Sequence, residues 1–144
     1  MKRIRLLVVL GALALALPFG LTAAKATGTT GGNSVTIQQY ADYDAAGFVL
    51  DVGLYVTCKG NGTLAQNGLV QVSVDQYPPQ TPYPVSFGSG EQSVVCDNTP
   101  HAVGVTITGE GYDAGLAKAT ATFIPGLGGG KSVTTKRWIT IVVV

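Results

Sequence analysis

Apolar side chains occupy every second position in the stretch Phe48-Val49-Leu50-Asp51-Val52-Gly53-Leu54-Tyr55-Val56-Thr57-Cys58. A period of two places alternate side chains on opposite faces of a β-strand, whereas a helix needs apolar residues three and four positions apart. The stretch therefore predicts a strand with one face against a core. It ends at a cysteine, which can tie the end of this strand to another part of the chain.

The same alternation recurs on both sides of this stretch. Further strands are predicted at Val35–Ile37, Val70–Val74, Val85–Phe87, Val94–Cys96, Val103–Ile107, Ala117–Phe123 and Trp138–Val144. Alanine favours helix, but Thr120 and Thr122 alternate strictly with the alanines and no helical apolar stripe is present. Short strands separated by turn residues about every 8–12 positions are typical of a sandwich. We expect an all-β protein, a single immunoglobulin-like β-sandwich of 7–8 antiparallel strands with one disulfide.

The immunoglobulin comparison concerns architecture only. Antibody-type domains place a tryptophan between two cysteines that join facing strands. Here the single tryptophan, Trp138, lies well beyond Cys96. The order of the strands is therefore left open by the sequence.

Cys58 and Cys96 are the only two cysteines, and each ends an apolar alternation next to a turn signal. Because an export signal precedes them and no third thiol competes, they predict one disulfide within the chain. Closing the loop between them stabilises the fold by about 4 kcal/mol on a chain-entropy estimate.

Residues 1–26 have the features of a cleaved signal peptide. A basic head (Lys2, Arg3, Arg5) precedes the apolar run Leu6–Leu17, and Ala24-Lys25-Ala26 supplies the small residues that signal peptidase needs. We expect cleavage after Ala26, with cleavage after Ala24 as the alternative. The apolar run falls short of the roughly 20 residues that span a bilayer. The prediction is a secreted domain over residues 27–144 with no membrane span after cleavage.

Removing the signal changes the charge of the chain. Four of the 9 basic residues leave with it, so five basic and 8 acidic residues remain and the net charge is −3. Five scattered positive charges do not form the cationic stripe that a nucleic-acid backbone requires. We therefore expect no nucleic-acid partner.

The residues around the second cysteine carry a family resemblance. Val94-Val95-Cys96-Asp97-Asn98-Thr99-Pro100-His101 is followed by an alternating strand, by Gly109–Gly115, and by the alternating alanines from Ala117. With Cys58, this region resembles small secreted actinobacterial proteins known only as a domain of unknown function, over roughly Val52–Phe123. Relatives have an aromatic residue soon after the histidine, and Ala102-Val103 departs from that. The resemblance implies a secreted β domain and no catalytic residues.

Several short patterns resemble reactive or ligand-binding motifs but are incomplete. His101 is the only histidine and has no activated serine or threonine context, so hydrogen bonding at a strand start is the favoured role. Asp42-Tyr43-Asp44 lacks the third ligand of a calcium loop, since Ala46 stands in its place. Gly130-Lys131-Ser132 leads into a strand rather than the helix of a phosphate-binding loop. We predict no enzyme activity, no catalytic residue, no metal and no cofactor.

The most suggestive surface segment is Tyr77-Pro78-Pro79-Gln80-Thr81-Pro82-Tyr83-Pro84. Its four prolines favour an extended backbone, and exposed tyrosines can stack on sugars or fill a partner's groove. Tyr77 and Tyr83 are thus the candidate binding residues, although the favoured interpretation is that they pack over the rim of the sandwich.

These patterns favour a secreted, monomeric, non-enzymatic binding module for an extracellular protein or glycan. The alternative is a structural or self-associating cell-surface protein, since Trp138–Val144 at a sheet edge would invite pairing with another chain.

Overall fold

The computed structural model describes residues 27–77, 85–109 and 111–144. The predicted signal peptide and the Pro78–Pro84 part of the proline-rich segment lie outside these ranges, as does Glu110. The strands are β1 (Thr27–Thr30), β2 (Asn33–Asp44), β3 (Val49–Thr57), β4 (Gly68–Gln76), β5 (Ser86–Val94), β6 (Pro100–Thr108), β7 (Gly115–Ile124) and β8 (Val133–Val143). The one helical element in these ranges is a 3-10 turn at Leu64–Gln66. None of the described segments is a helix long and apolar enough to cross a membrane.

Hydrogen bonds join the strands in the order β5-β4-β7-β8-β2-β3-β6, and β1 pairs with the first part of β2. The sheet folds over on itself, so that β5, β4, β7 and β8 form one layer and β2, β3 and β6 the other. The two end strands, β5 and β6, lie against each other and nearly close the sheet. The predicted all-β sandwich with one disulfide is confirmed.

The core lies between the two layers and is made of the inward-facing residue of each alternation. Its largest fully buried side chains are Phe123, Ile37, Leu50, Leu54, Ile107, Ile139 and Ile141. The alanine-rich segment is strand β7, as expected from its alternation. Ala117, Ala119 and Ala121 are fully buried, so the alternate alanines of this strand face the core.

One strand pair departs from the predicted antiparallel arrangement. Residues Tyr40–Tyr43 of β2 pair in parallel with Thr140–Val143 of β8, whereas every other pair among the described strands is antiparallel. The register of β2 shifts between Ile37 and Ala41, where β2 leaves β1 and reaches β8. The Arg137 guanidinium donates a hydrogen bond of 2.8 Å to the Ile37 carbonyl at this break. β2 therefore stays beside β3 throughout, while its other edge pairs first with β1 and then with β8.

The structure also corrects the two short strands predicted around Val85–Phe87 and Val94–Cys96. They are a single strand, β5, that runs through Gly88-Ser89-Gly90, and Val85 and Phe87 face outward. The two glycines face inward, where a Cβ on Gly90 would meet the Thr106 carbonyl of β6 inside van der Waals contact. These glycines permit the close approach of two backbones and do not break the strand.

Two strand ends also differ from the prediction. Phe48 is not the first residue of its strand: it is exposed, has a φ of 54°, and ends the turn between β2 and β3. The first predicted strand, Val35–Ile37, is part of the longer β2, and a two-residue turn at Gly31-Gly32 joins it to β1. Both glycines have positive φ, as a tight hairpin requires.

Candidate functional site

The outward surface of β5, β4, β7 and β8, here called the outer face, carries side chains in rows that the strand registers define. In one row, Phe87, Asp75, Lys118 and Trp138 lie side by side across the four strands. The next row toward the far end of the sheet holds Ser89, Ser73, Thr120 and Lys136. One end of the face is thus rich in aromatic and aliphatic residues, and the other end is polar.

The apolar end contains a cleft of about 520 Å³, here called the aromatic cleft. It is lined by Gln76, Tyr77, Val85, Asp113–Leu116 and Trp138. The rings of Tyr77 and Trp138 meet edge to face, with centroids 6.4 Å apart and planes inclined at 62°. Trp138 is 57% exposed, so most of its indole is free to contact another molecule. An exposed tryptophan held by a second ring is a preformed platform for a flat apolar surface.

One wall of the cleft is held by buried polar groups. The Gln76 side chain is 6% exposed, donates to the Asp113 carbonyl at 2.8 Å, and accepts from the Asp113 N–H at 2.9 Å. The Ser86 hydroxyl donates to the Gly111 carbonyl. These bonds fix the segment before β7 against the ends of β4 and β5, so the cleft does not depend on an unsupported loop.

Tyr112 anchors the same segment from inside the core. Its hydroxyl donates to the Val74 carbonyl at 3.0 Å, and its ring packs edge to face on Tyr43 with centroids 5.5 Å apart. Burial, helped by the charge of Asp75, raises the pKa of Tyr112 to about 12. Tyr112 therefore stays neutral and serves as a hydrogen-bond donor.

Two further depressions adjoin the aromatic cleft on the outer face. The polar groove, of about 500 Å³, is lined by hydroxyl, amide and carboxylate groups from Gln71, Ser73, Ser89, Glu91, Thr120 and Thr122. The cationic pocket, of about 300 Å³, lies on the other side of the tryptophan and is lined by Lys118, Lys136, Arg137 and Trp138. Trp138 is common to the aromatic cleft and the cationic pocket.

The disulfide lies outside this face. Cys58, just after β3, is bonded to Cys96, just after β5, with the two Cα atoms 4.8 Å apart and both residues fully buried. The predicted pairing is confirmed. The bond joins the ends of two strands that belong to different layers, so it holds the layers together at one end of the sandwich.

His101 hydrogen-bonds at the start of β6, as the sequence predicts. Its Nε2 lies 2.8 Å from Asp97 Oδ1, which also accepts from the Thr99 hydroxyl at 2.5 Å and the Thr99 N–H at 2.9 Å. The hydrogen bonds from Thr99, and then that of His101, lower the pKa of Asp97 to about 2. The Thr99 hydroxyl donates to this carboxylate and also lies 3.2 Å from His101 Nε2, so the three side chains together close the turn before β6.

No group of three or more metal-ligating side chains lies together in the described part of the chain. Asp44 Oδ1 accepts from the backbone N–H groups of Ala46 and Gly47, at 2.9 and 3.2 Å, so its role is to close the turn between β2 and β3.

Of the two tyrosines proposed from the sequence, Tyr77 is half-buried and belongs to the aromatic cleft, while Tyr83 lies outside the described residues. Trp138 and Phe87 were not among the site residues predicted from the sequence. A signal for Trp138 was present, because Thr134, Lys136 and Thr140 share its parity along the strand and are polar. Polar neighbours at positions i−4, i−2 and i+2 indicate an outward-facing position.

No protein-family model matches the chain, and none of the curated proteins matches it. The resemblance to secreted actinobacterial proteins therefore stays a prediction, and no residue role is transferred from a relative.

Proposed function

We propose that this protein is a secreted, non-enzymatic binding module that holds a polysaccharide on the outer face of β5, β4, β7 and β8. Trp138 and Tyr77 form the stacking platform in the aromatic cleft. The hydroxyl and amide groups of the polar groove receive the neighbouring sugar units.

The exposed Trp138 beside Tyr77 is the observation that carries the proposal. A pyranose ring has one face of C–H groups and a rim of hydroxyls, so it fits an exposed aromatic ring next to polar side chains. The outer face places aromatic and polar side chains in adjacent rows. The row with Phe87 and Trp138 spans about 14 Å across three strand spacings, and the row with the serines and Thr120 lies next to it. A flat, open surface of this length suits a chain of sugars better than a small enclosed ligand.

The export signal and the disulfide support an extracellular location, because disulfides persist in oxidising compartments. The immunoglobulin-like architecture remains part of the proposal, and it is supported only by the all-β fold with one disulfide. The disulfide of antibody domains joins two facing strands. Here Cys58 and Cys96 lie just beyond the ends of strands β3 and β5.

Self-association through Trp138–Val144, the alternative function, draws no support from β8. That strand is hydrogen-bonded to β7 on one side and to β2 on the other, so its backbone is not a free edge. We therefore give preference to binding through the side chains of the outer face.

The test is an array of immobilised polysaccharides probed with the mature protein and three variants. We expect Trp138→Ala and Tyr77→Ala each to weaken binding by about 1–3 kcal/mol, as the loss of a stacking anchor does, with little change in Tm. Tyr55→Ala is the matched control, because Tyr55 is 51% exposed on the opposite layer and should leave binding unchanged.

Two results would overturn the proposal. One is that the mature protein binds no polysaccharide on the array. This result would overturn the proposal even if the mature protein were found to bind a protein of the cell envelope. The other is a Trp138→Ala variant that binds as tightly as the wild type.

A further inference from the structure

Positive charge is concentrated around Trp138. Three of the five basic residues beyond residue 26, namely Lys118, Lys136 and Arg137, line the cationic pocket together with the indole. Lys118 lies directly opposite Trp138 on β7, and Lys136 lies two residues before Trp138 on the same side of β8. The net charge of the chain after residue 26 is −3, so this part of the surface is positively charged on a chain that is negatively charged as a whole.

The acidic groups near this pocket form no ion pair with its lysines within the described ranges. Asp75 lies directly opposite Lys118 on β4, yet the only ion pair within 4 Å in these ranges is His101–Asp97, on another part of the surface. Asp113 lines the aromatic cleft on the far side of Trp138, and Glu91 lines the polar groove. Among the described residues, no carboxylate lines the cationic pocket itself.

Arg137 has a different role from the two lysines. Its guanidinium is bonded to the Ile37 carbonyl at 2.8 Å, which holds one side of the pocket in place. Lys118 and Lys136 make no hydrogen bond through their ammonium groups among the described residues, so both are available to an anion.

We infer that the polysaccharide carries a carboxylate directly on its sugar ring, which makes it a uronic-acid polymer. This inference rests on the proposed function. Side chains directly opposite each other on antiparallel strands have Cβ atoms about 4.5–5.5 Å apart, so a ring stacked on Trp138 holds its own substituent within reach of Lys118. A carboxylate attached to the stacked ring lies close enough to reach the Lys118 ammonium group. A phosphodiester group lies between two rings and is therefore farther from Lys118. Lys136 meets the same carboxylate from the other side.

The experiment compares polygalacturonate, alginate and hyaluronan, each with the same polymer in which every carboxyl group is methyl-esterified. The ester keeps the backbone and removes the charge, so it separates stacking from charge recognition. We expect at least one of the acidic polymers to bind about tenfold or more tightly than the ester, with affinity that falls as NaCl is raised from about 50 to 500 mM.

Four lysine variants locate the charge. Lys118→Gln and Lys136→Gln should each weaken binding of the acidic polymer about fivefold and leave binding of the ester unchanged. Lys59→Gln and Lys131→Gln make the same change of net charge at positions outside the cationic pocket, and they should bind as the wild type does. Poly(glycerol phosphate) serves as an anion without a stacking ring and should be held weakly and independently of Trp138.

Each contrary outcome identifies what fails. Equal binding of acid and ester with continued dependence on Trp138 would overturn the charge inference and keep the proposed function. Tight binding of poly(glycerol phosphate), or equal losses in all four lysine variants, would show nonspecific attraction and overturn the inference as well. If no polysaccharide of either kind binds, the proposed function is wrong and the inference is wrong with it.

Discussion

Single side chains in this protein hold loops in place through hydrogen bonds that the strands do not use. Gln76 binds both backbone groups of Asp113, and Asn33, which is 1% exposed, donates to the carbonyls of Gly129 and Lys131 while accepting from the Lys59 N–H. Leaving a buried amide group unpaired costs free energy, so these residues specify the path of the chain around them. Gln76 lines the aromatic cleft and also fixes the segment that forms one wall of it.

The turn closed by Asp97, Thr99 and His101 can be tested by measuring the pKa of the Asp97 carboxyl group. Because hydrogen bonds lower the pKa of Asp97 to about 2 in the folded protein, they stabilise the fold above the usual pKa of 3.8, and this contribution is lost as the pH falls toward 2. Thr99→Val removes the hydroxyl donor, so the Asp97 pKa should rise toward 3.8. The measurement is a carboxyl titration by NMR between pH 1.5 and 6.

Thr108→Val is the control, since Thr108 is an exposed threonine of the same strand region and does not contact the carboxylate. An Asp97 pKa near 3.8 in the unaltered protein would contradict the hydrogen-bonded turn.

At the level of elements, β5 shows how a strand can be made of residues that disfavour strands. Gly88 and Gly90 face the neighbouring edge strand β6, where side chains of any size would separate the two backbones. Their outward neighbours, Phe87 and Ser89, are exposed and belong to the outer face, with Phe87 75% exposed. The position of β5 against β6 thus determines both the glycines inside and the side chains presented outside.

This arrangement predicts opposite responses at two glycines. Gly90→Ala places a methyl group against the Thr106 carbonyl and should lower the free energy of unfolding by about 1–3 kcal/mol, because a backbone has to move. Gly104→Ala, in the middle of β6, meets no atom within 4 Å and should be neutral or stabilising by about 0.4–1 kcal/mol. Urea unfolding at neutral pH measures both, and equal effects in the two variants would show that β5 and β6 are not in close contact.

At the scale of the whole molecule, two features hold the layers together. β2 is hydrogen-bonded to β3 along one edge and, through Tyr40–Tyr43, to β8 of the other layer along its second edge, and the disulfide joins the ends of β3 and β5 at one end of the sandwich. The first is a backbone connection within the hydrogen-bonded sheet. The second is a covalent link between cysteines 38 positions apart, on strands that are not neighbours.

The disulfide should therefore contribute to global stability and leave the outer face intact. Cys96→Ala should lower the free energy of unfolding by about 4 kcal/mol, because the unfolded chain regains the freedom of the closed loop. Mass spectrometry of the unreduced protein should show the loss of two hydrogens relative to the reduced chain. Two free thiols or a covalent dimer would contradict the pairing, and a Cys96→Ala variant as stable as the wild type would contradict its contribution.

Local pattern in the sequence was sufficient for the cysteine pair and for most of the strands, although β1 was not predicted and β5 was predicted as two short strands. The alternations at Leu50–Val56 and Ala117–Phe123 predict strands correctly because the direction of a side chain in a strand depends only on its position along that strand. The cysteine pair follows by elimination, since the chain has only two.

Tertiary structure alone determined which strands are neighbours and which apolar residues stay in contact with solvent. The polar residues at Thr134, Lys136 and Thr140 indicate that Trp138 faces outward, but only the position of β8 between β7 and β2 places Ile139 and Ile141 in the core. Likewise, only the tertiary structure brings Tyr77 and Lys118 beside Trp138. In the same way, Gly88-Ser89-Gly90 resembles a turn in the sequence, and only the position of β6 beside it explains why glycines lie within strand β5. Both cases depend on contacts between residues far apart in the chain, and such contacts leave no periodic trace in a short stretch of sequence.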